Sequence, residues 1–347
     1  MNGLSLFSSA GIAETYFKEN NIDIVVASEL VEKRCAVHSW IYKDCEMICG
    51  DITDSVVFNK VKNAAVKQKC KFLLATPPCQ GMSSLGKKEY TNDTRNYLIF
   101  YVLDIIDACD FDYILIENVP KFLSMHFPYN GEIVPLLNII NEKYSKSYNI
   151  ESFILNAKDY GVPQSRPRSF IKIWKKGLKW SNPTPQKEIT LREAIGGLPS
   201  LEPGEYSNIK WHYAKNHNAR DVDAMRHTPE GKSAFLNTVH FPKKQNGERM
   251  KGFHNTFARM RWNEPCPARA MQSGNIGGHN NVHPGRPLTN GTYSDPRVLT
   301  LRELFIVSSL PPDLDLPDWC TDTFIRQIIG EAIPPRLSES IIKGVGK

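Results

Sequence analysis

The sequence predicts an α/β fold: a doubly wound, mixed but mostly parallel sheet, joined to a second, smaller, loop-rich domain. Two observations carry this. Over the first 175 residues, short apolar runs alternate with helical patterns, and such alternation builds a largely parallel sheet with helices on both faces. After Trp180 the periodicity lapses, and residues 200–296 are rich in Gly, Pro, Asn and His. A chain of 347 residues has room for one large domain and one smaller one.

The elements follow in order. Leu4–Phe7 is a first strand, Ala13–Lys18 a helix, and Ile22–Ala27 and Glu46–Cys49 the second and third strands. Val56–Lys67 reads as a helix and Lys71–Ala75 as a buried strand, because its apolar run is short and continuous. Asn96–Ala108 and Ile133–Tyr144 are helical, while Tyr113–Ile116, Asn149–Leu155 and Ser169–Trp174 are strands. Ser181-Asn182-Pro183-Thr184-Pro185 reads as a linker. An amphipathic helix is expected over Leu299–Ser309 and a final helix over Glu331–Val345.

Composition narrows the classes. Mean hydropathy is −0.37, and no apolar run approaches the roughly 18–20 residues that span a bilayer. No basic segment precedes a cleavable apolar stretch, so a cytoplasmic protein is expected. The eight cysteines form no C-x-x-C pair and no paired Cys–His spacing, so no metal is expected. Net charge is +6, and residues 201–300 supply it, with 14 Lys and Arg against 8 Asp and Glu. A solvated basic surface explains such an excess. Yet arginines alternate with aromatic residues and Asn in Phe257-Ala258-Arg259-Met260-Arg261-Trp262-Asn263, a composition suited to phosphate positioning and base-edge reading.

Chemistry-bearing segments punctuate the first domain. In Ala75-Thr76-Pro77-Pro78-Cys79-Gln80-Gly81-Met82-Ser83 the double proline ends the strand abruptly and stiffens its exit. Cys79 then stands at the carboxyl end of a strand, where open α/β sheets bind ligands. Alone it reads as a small buried hydrophobe. Glu117, in Ile116-Glu117-Asn118-Val119-Pro120, reads alone as a carboxylate at a helix start. Arg166 and Arg168, in Gln164-Ser165-Arg166-Pro167-Arg168, read alone as a surface charge pair. The small residues of Phe7-Ser8-Ser9-Ala10-Gly11 allow close approach to the backbone where a strand feeds a helix. Glu29 closes the second strand, where a doubly wound fold offers a carboxylate to ribose hydroxyls. Asp51 follows the third strand, and each of these acids reads equally as a solvated loop residue. There is no G-x-G-x-x-G, which removes the main support for a dinucleotide site.

Taken together and in this order, Pro-Cys-Gln, Glu-Asn-Val, Gln-x-Arg-x-Arg and Gly330-Glu331-Ala332-Ile333-Pro334-Pro335 resemble the cytosine-5 DNA methyltransferase family of bacterial and phage modification enzymes. The resemblance covers nearly the whole chain and thins between about residues 185 and 255. It implies a Rossmann-like, S-adenosylmethionine-dependent catalytic domain over 1–180, a target-recognition domain over 181–298, and a segment 299–347 that returns to the first domain. It implies Cys79 as nucleophile and Glu117 near ring nitrogen 3. It places Arg168 on the cytosine carbonyl oxygen and Arg166 as a brace for the catalytic loop or a phosphate. For the cofactor it implies Phe7, Ala10, Gly11, Glu29, Asp51, Ile52, Pro78 and Leu98.

The expected partner is double-stranded DNA carrying a short specific site, with genetic pairing to a restriction endonuclease and a monomeric enzyme. Gln80, Ser83, Arg95, Lys243, Lys244, Arg249, Arg259 and Arg261 are expected on DNA, with the reader between about Tyr206 and Asn255. The chain departs from the family at Ser5, Ser9 and Ile12, where an acid and more glycine are usual, and at Glu331, where asparagine is usual. Two alternatives stay open. A related transfer-RNA enzyme would keep the same core but carry a Cys-Phe-Thr segment, which this chain lacks; a non-enzymatic relative would be expected to lose Cys79 or Glu117.

Overall fold

The computed structural model describes residues 1–78 and 94–347, so Cys79, Gln80 and Ser83 lie outside the described residues. The chain runs β1 (Asn2–Leu6), β2 (Asp23–Glu29), α1 (Glu32–Ile41), β3 (Glu46–Cys49), α2 (Ser55–Lys67), β4 (Phe72–Ala75), α3 (Leu98–Ala108) and β5 (Tyr113–Asn118). A hairpin of β6 (His126–Tyr129) and β7 (Glu132–Pro135) leads to α4 (Leu136–Tyr144), β8 (Tyr148–Asn156), β9 (Gln164–Ser165) and β10 (Pro167–Lys175). Then come α5 (Leu191–Ile195), α6 (Ala219–Arg226), β11 (Cys266–Pro267), α7 (Leu301–Val307), α8 (Asp322–Glu331) and α9 (Pro335–Ile342). Among the described residues, no helix is long and apolar enough to cross a membrane.

Two units emerge. The first comprises Met1–Asn156, Pro167–Pro185 and Leu337–Lys347; the second comprises Ala157–Arg166 and Gln186–Arg336. The division departs from the expected boundaries in three places: residues 299–336 stay with the second unit, residues 157–166 leave the first, and residues 181–185 stay with the first.

In the first unit, seven strands run in the order β3-β2-β1-β4-β5-β10-β8. The strands from β3 to β5 are parallel neighbours, and β10 is antiparallel to both β5 and β8. Leu4, Leu6, Val26, Leu73, Ile114 and Ile116 of the sheet pack with Val61, Val102, Leu103, Ile139 and Ile140 of the helices. Strand order reverses between β1 and β4, whose ends are level at the pair Leu6–Ala75. That reversal is where doubly wound sheets open a crevice for ligands. The returning C-terminal segment is tied in by Ser338 Oγ, which donates to the Ala13 carbonyl at 2.6 Å, and by the Ile341 carbonyl, which accepts from Trp180 Nε1 at 2.9 Å.

Local departures from the sequence reading have physical causes. Ala13–Lys18 is not an α-helix; two single 3₁₀ turns form over Ile12–Glu14 and Lys18–Asn20. Left-handed Asn21 and the Ile22 N–H bond to the Phe17 carbonyl turn the chain into β2 before a helix can nucleate. Residues 133–135 pair with β6, so the following helix starts only at Leu136. Glu331 closes α8 rather than opening the last helix, which begins at Pro335 because proline suits a first helical turn.

Among its described residues the second unit has few ladders; one apolar cluster gathers Ala224, Met225, Ala234, Phe257, Ile276, Val282 and Val298, and Leu301, Leu304, Phe305, Ile325 and Ile328 are buried as well. Irregular backbone leaves buried carbonyls that need donors, and four fully buried arginines supply them. Arg259 bonds the carbonyls of Met225, His283 and Asp295. Arg269 bonds those of Pro267 and Asn280, and Arg326 bonds that of Leu299. Arg297 bonds the Leu201 carbonyl and pairs at 2.8 Å with both Asp295 and Glu303.

Candidate active site

The chain leaving β1 at the switch point is strained. Phe7 and Ser9 adopt left-handed conformations with φ of 58° and 49°, which side-chain-bearing residues rarely take and which mark functional loops. Gly11 (φ 75°) admits no side chain, since a Cβ there would lie 2.4 Å from Tyr42 Cε2. The loop is held from β2: the Glu29 carboxylate accepts the N–H of Ser9 through one oxygen and that of Val31 through the other, both at 2.9 Å. Tyr42 OH donates to the Gly11 carbonyl at 2.7 Å. Below the loop, Glu14 and His38 form a fully buried pair at 3.1 Å. Phe7, Ala10, Gly11 and Glu29 thereby stand together at the neighbouring carboxyl ends of β1 and β2. The Gly50 N–H bonds the Glu29 carbonyl and draws in the loop after β3. There Asp51 is exposed, its Oδ1 accepting from Thr53 N–H and Oγ1, while Ile52 is buried.

The exit from β4 is braced on both sides. Thr76 N–H and Oγ1 donate to the carbonyls of Leu6 and Phe7, and Asn118 Nδ2 donates to the Pro77 carbonyl at 2.8 Å. The residues leading directly into Cys79 are thus tied to β1 and β5. Pro78 is half-buried, and Leu98, at the start of α3, packs on the core. Ser169 Oγ, on β10, donates to the carbonyls of Asn118 and Val119. One residue earlier on the same strand, Arg168 Nε lies 3.0 Å from Glu117 Oε1, with both side chains largely buried. Burial pushes the Arg168 guanidinium below its ordinary pKa, and Glu117 opposes that shift.

Other expected residues stand elsewhere. Arg166 belongs to the second unit, where it donates to the carbonyls of Arg269 and Gly330, each at 2.7 Å. Gly330 is required there, because a Cβ would meet the Ala270–Met271 backbone at 2.4 Å. Arg259 is a correction: only 2% exposed, with its guanidinium bonded to backbone carbonyls, it is a structural core residue rather than a DNA contact. Arg261 is exposed 3.6 Å from Glu264, and Arg95 is exposed in the turn before α3. Lys243 and Arg249 lie over the Phe241 ring and pair across a short hairpin, and Lys244 meets Glu248 at 2.9 Å. Arg249 also donates to the carbonyls of Phe235 and Asn237. The sequence reading missed Thr76, Glu14, His38 and Tyr42; Thr76, standing directly before the double proline, was the readable signal.

The chain matches the C-5 cytosine-specific DNA methylase family over residues 1–347. The chain belongs to that family. This methylase is therefore a DNA (cytosine-5-)-methyltransferase. It is 47% identical over 347 residues to the Type II methyltransferase M1.HgaI of Avibacterium volantium, covering 99% of this chain and 97% of that protein. It is 25% identical over 363 residues to the Type II methyltransferase M.XorII of Xanthomonas oryzae pv. oryzae, covering 98% and 83%. Among solved structures, a DNA modification methyltransferase encoded within an E. coli prophage superposes with a TM-score of 0.72 at 19% identity, covering 99% of this chain and 98% of that one. A DNMT2 variant from Spodoptera frugiperda superposes with a TM-score of 0.59 at 18% identity, covering 97% of each chain. These likenesses agree with the Rossmann-like methyltransferase fold.

Proposed function

We propose that this methylase is the modification enzyme of a type II restriction–modification system. In this reading it transfers a methyl group from S-adenosylmethionine to carbon 5 of a cytosine extruded from a specific double-stranded DNA site. It acts as a monomer in the cytoplasm and is paired genetically with a restriction endonuclease. The 47% identity to a Type II methyltransferase supports the system. The observation that carries the chemistry is the buried Glu117–Arg168 pair beside the braced Pro77-Pro78 exit, directly before Cys79 in the chain.

The donor set fits the cofactor. Two carboxylates, Glu29 and Asp51, and the constrained 7–11 loop suit a cationic ligand bearing hydroxyl and amino donors. Arg34 Nη1 also lies 3.5 Å from Glu29 Oε1, and each carboxylate oxygen can accept more than one hydrogen bond. Phe7, Ala10, Gly11, Ile52, Pro78 and Leu98 complete the proposed pocket. When bound, S-adenosylmethionine would supply an electrophilic methyl group and leave as S-adenosylhomocysteine.

The residues of the chain do the rest. A stacked base is out of reach, and extruding it costs a few kcal/mol that new contacts offset; Gln80, Ser83 and Arg95 are assigned to that contact. The Cys79 thiolate adds to ring carbon 6, and carbon 5 becomes nucleophilic. A free thiol is only a few per cent ionised near pH 7 but is intrinsically very nucleophilic. Charge then develops on nitrogen 3 and the carbonyl oxygen, where Glu117 handles the proton and Arg168 donates. Once methylated, carbon 5 gives its proton to a water molecule acting as base, the C–H electron pair restores the 5,6 double bond, and the carbon 6–sulfur bond breaks to return Cys79 as a thiolate. Arg166 acts at a distance, by fixing the backbone on which Gln164–Arg168 is strung.

Duplex DNA with 5-fluorocytosine at the target tests this, since fluorine cannot leave as a proton does. The target is first located by bisulfite sequencing of DNA from cells expressing the protein. Wild type should form a covalent adduct and Cys79→Ser should not, while retaining DNA binding. Adduct formation by the serine variant at the wild-type rate removes Cys79 from the mechanism.

A further inference from the structure

The loop after β1 rests on two rings from the end of α1. His38 and Tyr42 stand one helical turn apart, with ring centroids separated by 4.9 Å. A Cβ on Gly11 would clash with Tyr42 and lie 2.9 Å from His38 Cδ2, so both rings press on the bare Gly11 Cα. The Gly11 carbonyl accepts two bonds, from Tyr42 OH at 2.7 Å and from the Glu14 N–H at 3.2 Å. The Gly11 N–H donates in turn to the Ser8 carbonyl at 2.9 Å. That bond carries the restraint back into the strained stretch from Phe7 to Ser9.

The support behind these rings is polar and buried. His38 Nε2 meets Glu14 Oε2 at 3.1 Å, and neither side chain is open to solvent. Among the described residues, His38 Nδ1 and Glu14 Oε1 have no hydrogen-bond partner. Burying polar groups with bonding capacity idle costs free energy that an apolar pair of the same volume avoids. Stability alone therefore does not account for this pair. Its place does, because any influence it has on a ligand passes through Gly11. Burial, and then the charge of Glu14, hold the Tyr42 phenol above its ordinary pKa, which keeps it a donor to the Gly11 carbonyl.

We infer that Glu14, His38 and Tyr42 are positioning residues for S-adenosylmethionine, holding the 7–11 loop in the conformation that receives the cofactor without touching it themselves. This rests on the cofactor reading above and adds the residues that act through the loop. Two restraints converge there: Glu29 on β2 holds the Ser9 N–H, and Tyr42 at the end of α1 holds the Gly11 carbonyl. Removing only the second leaves every proposed contact residue in place. The loop must then become ordered on binding, and that ordering lowers affinity.

The test compares the full chain with Tyr42→Phe, Glu14→Ala and Glu14→Gln. Tyr42→Phe removes one hydroxyl and should weaken S-adenosylmethionine and S-adenosylhomocysteine about three- to tenfold in calorimetry. In methyl transfer to duplex DNA, the KM for the cofactor should rise by the same factor, with kcat and the KM for DNA unchanged. Glu14→Ala should weaken the cofactor at least as much, and Glu14→Gln, which can still bond the His38 ring, should restore most of the affinity. In the ligand-free protein, amide exchange at Gly11 should be faster in Tyr42→Phe, with β4 and β5 unaffected. Wild-type cofactor affinity in both Tyr42→Phe and Glu14→Ala, or a kcat and DNA KM that change in step with the cofactor KM, overturns this inference alone. Failure of wild type to bind S-adenosylmethionine removes the cofactor reading and this inference with it.

Discussion

The two units solve one problem in opposite ways. In the first, seven strands satisfy backbone groups in ladders, and an apolar core from Leu4 to Ile173 does the packing. In the second, ladders are scarce among the described residues although Leu301, Leu304, Phe305, Ile325 and Ile328 are buried, and buried guanidinium groups take over much of the pairing of carbonyls. The lesson concerns charge. The window that supplies the net positive charge of the chain spends several of its arginines inward, so its excess overstates the basic surface offered to DNA.

The comparison is most sharply broken by removing one inward arginine. Arg297→Met strands Asp295 and Glu303 as buried charges, and should cost about 3–5 kcal/mol in denaturant unfolding. Leu103→Ala, in the apolar core of the first unit, should cost about 2–5 kcal/mol by cavity formation. If Arg297→Met cost under about 1 kcal/mol, the guanidinium scaffold would be incidental.

Acid should separate the units next. Burial, aided by Arg297, pushes His283 from 6.5 down to about 4, so it folds neutral. The unfolded chain binds this proton first, and stability present above pH 6.5 is lost as pH falls towards 4. Glu303 follows: Arg297 and His283 outweigh its burial and hold it at about 2, so its contribution is lost between 4.5 and 2. Amide hydrogen exchange should show the second unit losing protection in this range before the sheet does. Simultaneous loss would mean that the buried cluster does not set the acid limit.

The smallest effect belongs at the surface. Lys243→Gln with Lys244→Gln should weaken binding to all duplexes alike and flatten the salt dependence by about 0.9 in log–log slope for each phosphate no longer neutralised. Sequence-selective weakening would make these lysines base readers.

Much of the first unit was legible because periodicity reports burial. The run before Pro77 and the residues flanking Glu117 became β4 and β5 as read. Helix α1 escaped because only Cys35, Val37 and His38 along it are buried, too thin a stripe to register. The motif residues announced themselves by type and order, whereas Glu14, His38 and Tyr42 act through contacts between distant segments. Arg259 shows the limit most clearly, since a one-letter arginine does not say whether it meets a phosphate or a carbonyl.

The bond from Ser338 to Ala13 joins residues 325 positions apart. During translation the first unit lacks this closure until the whole of the second has left the ribosome. Its folding thus waits on its most distant contacts, which are slow to form. A newly made chain should therefore gain its full catalytic fold late, after the segment assigned to choosing a target has already been synthesised.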